Sequence, residues 1–312
     1  MGPESSNRGG PLPSRRCLPT YTPHVSLGDC PYVALPGARP PVLAGRADVL
    51  AAVATQRDAL AAAKAAYPVA LTGRYGSGRT AAGDEIARAA ARAGWAHAVI
   101  AIEPSTIVVH EIARGVAAMV LRRLAVEATD RAASALLATT RSFATAHHLE
   151  LPLDVPPAVS PKWTGDVAAD LEALFRQVGE AGAKAHRGYL LVIDDSDLAP
   201  GNGCAAAAAA ASCVARAGLP LLTVFTGLPG TASMLGAALR DVAIRSLSPA
   251  EVNEAVAGPA HKLGVDIPPA TIASIGRRSG GHPYFVQALA RAAWEAAEAS
   301  PVTASDVETG SL

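Results

Sequence analysis

The 312-residue sequence predicts an α/β fold, a parallel β-sheet flanked by helices and followed by a small all-helical domain. Three observations carry that expectation. Four short apolar runs, Val69–Thr72, Ala98–Ile102, Tyr189–Asp194 and Leu221–Thr226, are separated by long stretches with helical spacing, the alternation that buried parallel strands produce. After Ser248 the strand-like runs stop and short helical segments follow one another. Aromatic residues make up only 4% of a chain that is 50% hydrophobic and rich in alanine, which favours small-residue helix packing over an aromatic-rich β fold.

Taken in order, residues 1–39 are rich in Pro, Gly, Ser and Arg without hydrophobic periodicity, and are expected to form a disordered leader. A helix is expected over Ala47–Ala66, with Val49, Leu50, Val53 and Leu60 on one side, ending near Tyr67-Pro68. The strand Val69–Thr72 runs directly into a glycine-rich loop, Gly73–Thr80, and then into a helix with Ala82, Ile86, Ala89 and Ala93 on one side and Gly94 as its stop. With Ala98–Ile102 this makes a βαβ unit, hence a right-handed crossover and parallel strands. Helical periodicity extends from Ile107 to Leu137. A Pro-rich interruption at Leu151–Pro161, expected as an exposed insertion, precedes another helix carrying Val167, Leu171, Leu174 and Val178. The alanine-rich stretch after Tyr189–Asp194 leads to Leu221–Thr226, and Val242-Ala243-Ile244 reads as a weak fifth strand. Ser248-Pro249-Ala250-Glu251 has the form of a capping box with proline at the first helical position. Helices follow to about Leu263, over Pro269–Arg278, and from His282-Pro283 onward. The expected division is therefore a core over 40–247 and a helical domain over 248–312.

Charge and cysteine usage narrow the function classes. The 27 basic and 27 acidic residues cancel, so no global field advertises DNA or an anionic membrane as partner. Only four of the basic residues are lysines (Lys64, Lys162, Lys184 and Lys262), a skew toward arginine. Cys17, Cys30, Cys204 and Cys213 have no CxxC spacing and read as reduced intracellular thiols. No apolar run approaches the ~20 residues of a membrane span, and the chain is expected to be cytoplasmic. His110, His147 and His148 lack metal-ligand spacing and read as surface or packing residues.

The chemistry is concentrated in Gly73-Arg74-Tyr75-Gly76-Ser77-Gly78-Arg79-Thr80, which fits the phosphate-loop pattern G-x-x-x-x-G-K-[ST] except that arginine stands in place of lysine. Glycines let successive main-chain N–H groups face an anion, the following helix presents its N-terminus, and Thr80 offers a hydroxyl to Mg²⁺. Arg79 keeps the positive charge but replaces a compact ammonium by a longer planar fork. The second half of such a site is an apolar strand ending in an acid, and Leu190–Ile193 followed by Asp194 and Asp195 supplies it. Asp194 is then the Mg²⁺ carboxylate. Thr226, at the end of the fourth strand, either senses the terminal phosphate or satisfies a main-chain group in a tight turn. Arg240 is a candidate arginine finger toward a neighbouring subunit, with a solvated helix-end arginine as the alternative.

In order, these residues resemble the ATPase module of the ASCE-type P-loop NTPases that include AAA+ proteins and the STAND signal-transduction ATPases, over Pro40 to about Val307. The resemblance is to bacterial ATP-binding proteins with an origin-recognition-like AAA ATPase domain. It rests on the Pro-Pro-x-Leu-Ala-Gly-Arg opening at Pro40–Arg46 and on Gly281-His282-Pro283-Tyr284-Phe285-Val286-Gln287, with the Thr226–Pro229 turn and Trp294. It implies bound ATP or ADP with Mg²⁺, an adenine contact from Val42–Arg46 that includes Gly45 and Arg46, and a helical lid whose Pro283 packs near the nucleotide. It also implies that Asp195 stands where such ATPases carry the glutamate that polarises the attacking water. Aspartate is one methylene shorter, and a misplacement of ~1 Å can cost ~10²-fold. The expected function is thus a nucleotide-gated switch with slow hydrolysis and a protein partner or self-association. A DNA-associated replication or regulatory ATPase is the alternative. Relatives continue into a winged-helix domain after a segment like Val302-Thr303-Ala304-Ser305-Asp306-Val307. The chain is expected to stop just after that helix begins, which makes DNA binding by this chain alone doubtful.

Overall fold

The computed structural model describes residues 29–297 and 302–310. Helix α1 (Ala47–Ala61) precedes strand β1 (Val69–Thr72), which leads through the glycine loop to α2 (Arg79–Arg92) and β2 (Ala96–Ala101). Helices α3 (Val108–Val126), α4 (Arg131–Ala146) and α5 (Val167–Lys184) follow, then β3 (Tyr189–Asp194), α6 (Gly203–Arg216), β4 (Leu221–Gly227), α7 (Thr231–Leu235) and β5 (Arg240–Ala243). The lid comprises α8 (Pro249–His261), α9 (Pro269–Ser279), α10 (Pro283–Ala296) and α11 (Ala304–Thr309).

Among the described residues the strands form one parallel sheet in the order β2-β3-β4-β1-β5. All strands point the same way, so the glycine loop after β1 and the ends of β3 and β4 share one edge of the sheet. Side chains alternate between its faces. Leu190 and Val192 of β3 pack toward the α1 and α2 side with Val69, Leu71 and Ile86, whereas Tyr189, Leu191 and Ile193 pack into the layer of α3, α4, α5 and α6. The lid has its own core, including Val252, Val256, Ile275, Leu289 and Trp294.

Several expectations are adjusted by packing. The helical stretch Ile107–Leu137 is two helices, because Asp130 caps α4 by accepting from the Ala133 amide (2.9 Å) and pairs with the buried Arg123 guanidinium. Of the expected leader, residues 1–28 lie outside the described residues, while 29–39 runs along the lid. Tyr32 is 2% exposed, packs edge-on to Trp294 (5.9 Å between ring centroids) and donates its hydroxyl to the Val256 carbonyl (2.7 Å). Val302 and Val307 are buried in the lid core, so the helix opened by Thr303 completes the lid instead of standing apart from it. The Pro-rich insertion is only partly exposed: Leu153 is buried, and its carbonyl accepts from Arg141.

The segments flanking that insertion are tied together by one carboxylate. Asp170, 2% exposed, accepts from the Thr164 amide and hydroxyl, the Gly165 amide and the His147 ring, each at 2.9 Å. Burial alone would raise its pKa, but the hydrogen bonds from Thr164, Gly165 and His147 hold it below the usual carboxylate range. His147 also stacks on Phe143, so it is a packing residue. Asp170→Asn reverses the polarity of one acceptor among these donors and should lower the unfolding free energy by roughly 2–3 kcal/mol in denaturant titrations.

At the lid entrance, Glu251 completes the capping box with Ser248 and makes a two-bond pair with Arg245 (2.8 Å each). The hydrogen bond from Arg245, followed by the one from the Ser248 main chain, holds its carboxyl at about 2, below the ordinary 4.5. A depressed carboxyl stabilises the folded state above its unfolded pKa and loses that contribution as pH falls through the folded value. Thermal melts between about pH 4.5 and 2 should therefore show a smaller acid dependence in Glu251→Gln than in the unaltered chain.

Candidate functional site

The site is built at the junction of β1 and α2. Gly76 and Gly78 occupy the left-handed region (φ +71° and +89°), and Gly78 caps α2, so the loop turns back and aims the unpaired N-terminal amides of α2 at the space in front of it. Gly76 is required twice over. A Cβ there would come within 2.8 Å of the His282 ring and 2.9 Å of Tyr284 Cβ. The lid meets the loop at this point: the Tyr284 amide donates to the Gly76 carbonyl (3.2 Å), and the His282 ring nitrogen Nε2 lies 2.9 Å from the Tyr75 carbonyl.

Arg79 turns toward the ends of the strands. Its guanidinium donates to Asp195 (2.7 Å) and to the Gly73 carbonyl (3.3 Å), lies 3.8 Å from Asp197 and sits 5.3 Å from the centre of the Tyr75 ring. Burial and the charge of Asp194 push the Asp195 carboxyl up, against the pull of Arg79. Asp195 has a left-handed backbone (φ +53°) and is held by its amide, which donates to the Thr226 hydroxyl (3.0 Å). The same hydroxyl donates to the Asp194 carboxylate. Thr226 is fully buried and off the cavity wall, and its hydroxyl satisfies the Asp195 main-chain amide, one of the two contacts expected of it.

In front of the loop lies a cavity of about 680 Å³ between core and lid. Its floor is Tyr75–Thr80, one side carries Arg46 and Asp195, and Pro283 with its neighbours closes the lid side. The strap over 33–38, read as leader in the sequence, supplies an apolar wall from Val33, Leu35 and Pro36, and is tied to the lid by the Val33 amide donating to Gln287 (3.3 Å). Gly45 is off the wall but has φ +65°, and a Cβ would fall 2.7 Å from Glu251 Cδ, so the glycine lets the lid approach. Arg74 is exposed, and neither it nor Gly73 lines the cavity.

Arg240 is not brought to this site. It begins β5 opposite Val69, at the start of the strands and so at the other end of the sheet from the loop, and it is exposed on an edge strand. Two acids escaped the sequence reading. Asp197 accepts from the Leu228 amide (3.2 Å) beside Arg79. The carboxyl of Asp84, one helical turn beyond Thr80, is pushed up by burial and by the charge of Asp194. Their spacing from the known motifs carried no signal beyond an ordinary helix or turn acid.

Thr80 lines the cavity, while Asp194 is buried and, like Asp84, off its wall; these are hard oxygen donors of the kind that suits Mg²⁺, which takes one or two carboxylates and leaves its other positions to water and phosphate. Among the described residues no group of three or more His, Cys, Asp or Glu is placed to hold a metal. No helix among them is long and apolar enough to cross a membrane.

No protein-family model and no curated protein matches the sequence. Solved structures do. A Walker-type ATPase of Pyrococcus abyssi superposes with a TM-score of 0.53 at 14% identity, over 84% of this chain and 70% of that one. Cdc6p of Pyrobaculum aerophilum gives 0.52 at 12% identity, over 84% of this chain and 64% of that one, so the chain spans less than two thirds of its length. A variant of RuvB from Thermotoga maritima gives 0.50 at 14% identity, over 88% and 72%. The fold is therefore the one these structures share, a parallel sheet flanked by helices, as the sequence predicts.

Because Gly76 has no room for a Cβ and needs φ +71°, Gly76→Ala should detach the lid segment from the loop. Faster amide exchange at Tyr284 and a lower melting temperature are the expected results.

Proposed function

We propose that the chain is an ATP- or ADP-binding AAA+-type module that works as a STAND-like nucleotide-gated switch, hydrolysing ATP slowly at best. The observation that carries this reading is the direct seating of the lid on the phosphate loop, through Tyr284 to Gly76 and His282 to Tyr75, beside a cavity of nucleotide size. A ligand that orders the loop must then also bias the lid, which is the linkage a switch requires. The main-chain amides of Gly76–Thr80 would receive the phosphates, Thr80 and Asp194 would hold Mg²⁺, and the apolar strap would face the base. Bound Mg²⁺ would supply neutralisation of phosphate charge.

The chain's own groups support slow turnover. Asp195 would be the group that accepts a proton from attacking water, but its carboxylate is engaged by Arg79 and sits one methylene short of a glutamate's reach. Thr226 keeps both aspartates in place by using its hydroxyl as donor to one and acceptor from the next. A protein partner or self-association, rather than DNA, fits the balanced charge of the chain.

Equilibrium titration of the full chain with ATP and ADP, with and without Mg²⁺, tests the binding, and absence of saturable binding would remove the reading. If each departure from pattern costs on the order of 10²-fold, Arg79→Lys combined with Asp195→Glu should raise phosphate release well above the unaltered chain. No gain in the double variant would show that these two positions do not limit hydrolysis.

A further inference from the structure

Two guanidinium groups face the phosphate loop, and their surroundings differ. Arg79, in the lysine position, is engaged by Asp195 at 2.7 Å with Asp197 at 3.8 Å, so its charge is offset within the protein. Arg46 is more deeply buried, at 2% exposure, and forms no ion pair among the described residues. Its two hydrogen bonds go to main-chain carbonyls: Nη1 donates to Gly45 and Nη2 to Ser77, both at 2.8 Å. Of the two acids in electrostatic reach, Glu251 is committed to Arg245 and to the Ser248 amide (2.7 Å), and Asp48 lies 3.8 Å from Arg245.

The placement of Arg46 is costly unless an anion arrives. Nη2 would lie 4.0 Å from a Cβ on Gly78, the cap of the 14-residue helix α2, so a cation sits beside the positive end of a helix dipole. A buried charge without a counter-ion is unfavourable, and burial accordingly lowers the pKa of Arg46. A polyanion in the cavity would relieve both terms, since Arg46 forms part of the cavity wall and its planar fork suits phosphate oxygens.

We propose that Arg46 is the principal cation for the phosphates of the bound nucleotide, filling the part that Arg79 leaves open while it is paired with Asp195. The inference rests on the nucleotide-binding reading and adds a residue whose resemblance-based role was toward adenine. Arg79 then acts chiefly as the tie between the loop and the end of β3.

The test is isothermal titration of the full chain with ADP and, separately, with inorganic pyrophosphate, which has no base. Losing a charge-assisted contact should weaken pyrophosphate binding roughly 10- to 100-fold in Arg46→Gln. Arg46→Lys should recover most of that loss, and Arg79→Gln should lose less than Arg46→Gln. A pyrophosphate affinity within twofold of the unaltered chain in Arg46→Gln, or a larger loss in Arg79→Gln, overturns the assignment while ADP binding by the unaltered chain leaves the nucleotide reading standing. If the unaltered chain binds neither probe, both fall together. Should Arg46→Gln fail to fold by circular dichroism, Arg79→Gln decides alone: a pyrophosphate loss under threefold supports Arg46, and one above tenfold overturns it.

Discussion

The architecture depends on a close approach that only a residue without a side chain permits. At Gly76 the glycine loop comes within van der Waals distance of the lid, and the main chains of the two are hydrogen-bonded there. Gly45 and Gly281 repeat the device nearby. Gly45 leaves space for Glu251, and Gly281 has φ +69° with the Leu247 carbonyl 2.2 Å from where a Cβ would be. Three glycines from distant parts of the chain thus let core and lid approach one another closely. Of the polar contacts that join loop and lid, one runs from main chain to main chain and the other joins the His282 ring to the Tyr75 carbonyl, so on the loop side both depend on the path of the backbone.

Electrostatics in the same region is arranged around the end of β3. Thr226 couples Asp194 to the main chain of Asp195, and Asp195 couples to Arg79, so a change at any of the three is felt at the loop. Replacing a lysine by an arginine in this setting is more than a conservative exchange. The longer fork reaches past the loop to the carboxylates at the strand ends and also rests against Tyr75.

Much of the fold was legible because its signals are local. Buried parallel strands such as Tyr189–Asp194 show as unbroken apolar runs, and the capping box at Ser248–Glu251 marks its helix start directly. The glycine loop and the acids of β3 were legible for the same reason. What escaped depends on tertiary partners. Tyr32 sits in a Pro- and Gly-rich context that reads as unstructured, and its burial comes from Trp294 and Val256, more than 220 residues away. The break between α3 and α4 follows from a single cap and ion pair at Asp130 inside an otherwise continuous helical pattern. Arg240, read as a finger toward a neighbouring subunit or as a solvated helix-end arginine, lies on an edge strand and not at a helix end, a placement hidden in the sequence because strand order cannot be read along the chain. Pairing places it opposite Val69, where β1 begins and not where it ends.

The layer of α5 and α6 carries a consequence for how the protein responds to temperature. Ala207, Ala208, Ala210 and Ala211 are buried on α6, and Gly179 and Gly182 of α5 let Leu219, Pro220 and Tyr189 approach its backbone. Alanine and glycine have no side-chain rotamer freedom to lose, so the α6 face is ordered at low side-chain entropic cost, while Leu171, Leu174 and Phe175 of α5 supply the apolar area it packs against. Since the heat capacity of unfolding scales with the apolar area exposed, the alanine face of α6 adds less to it than an aromatic-rich face of equal length would, and the temperature dependence of unfolding is carried mainly by the larger side chains opposite.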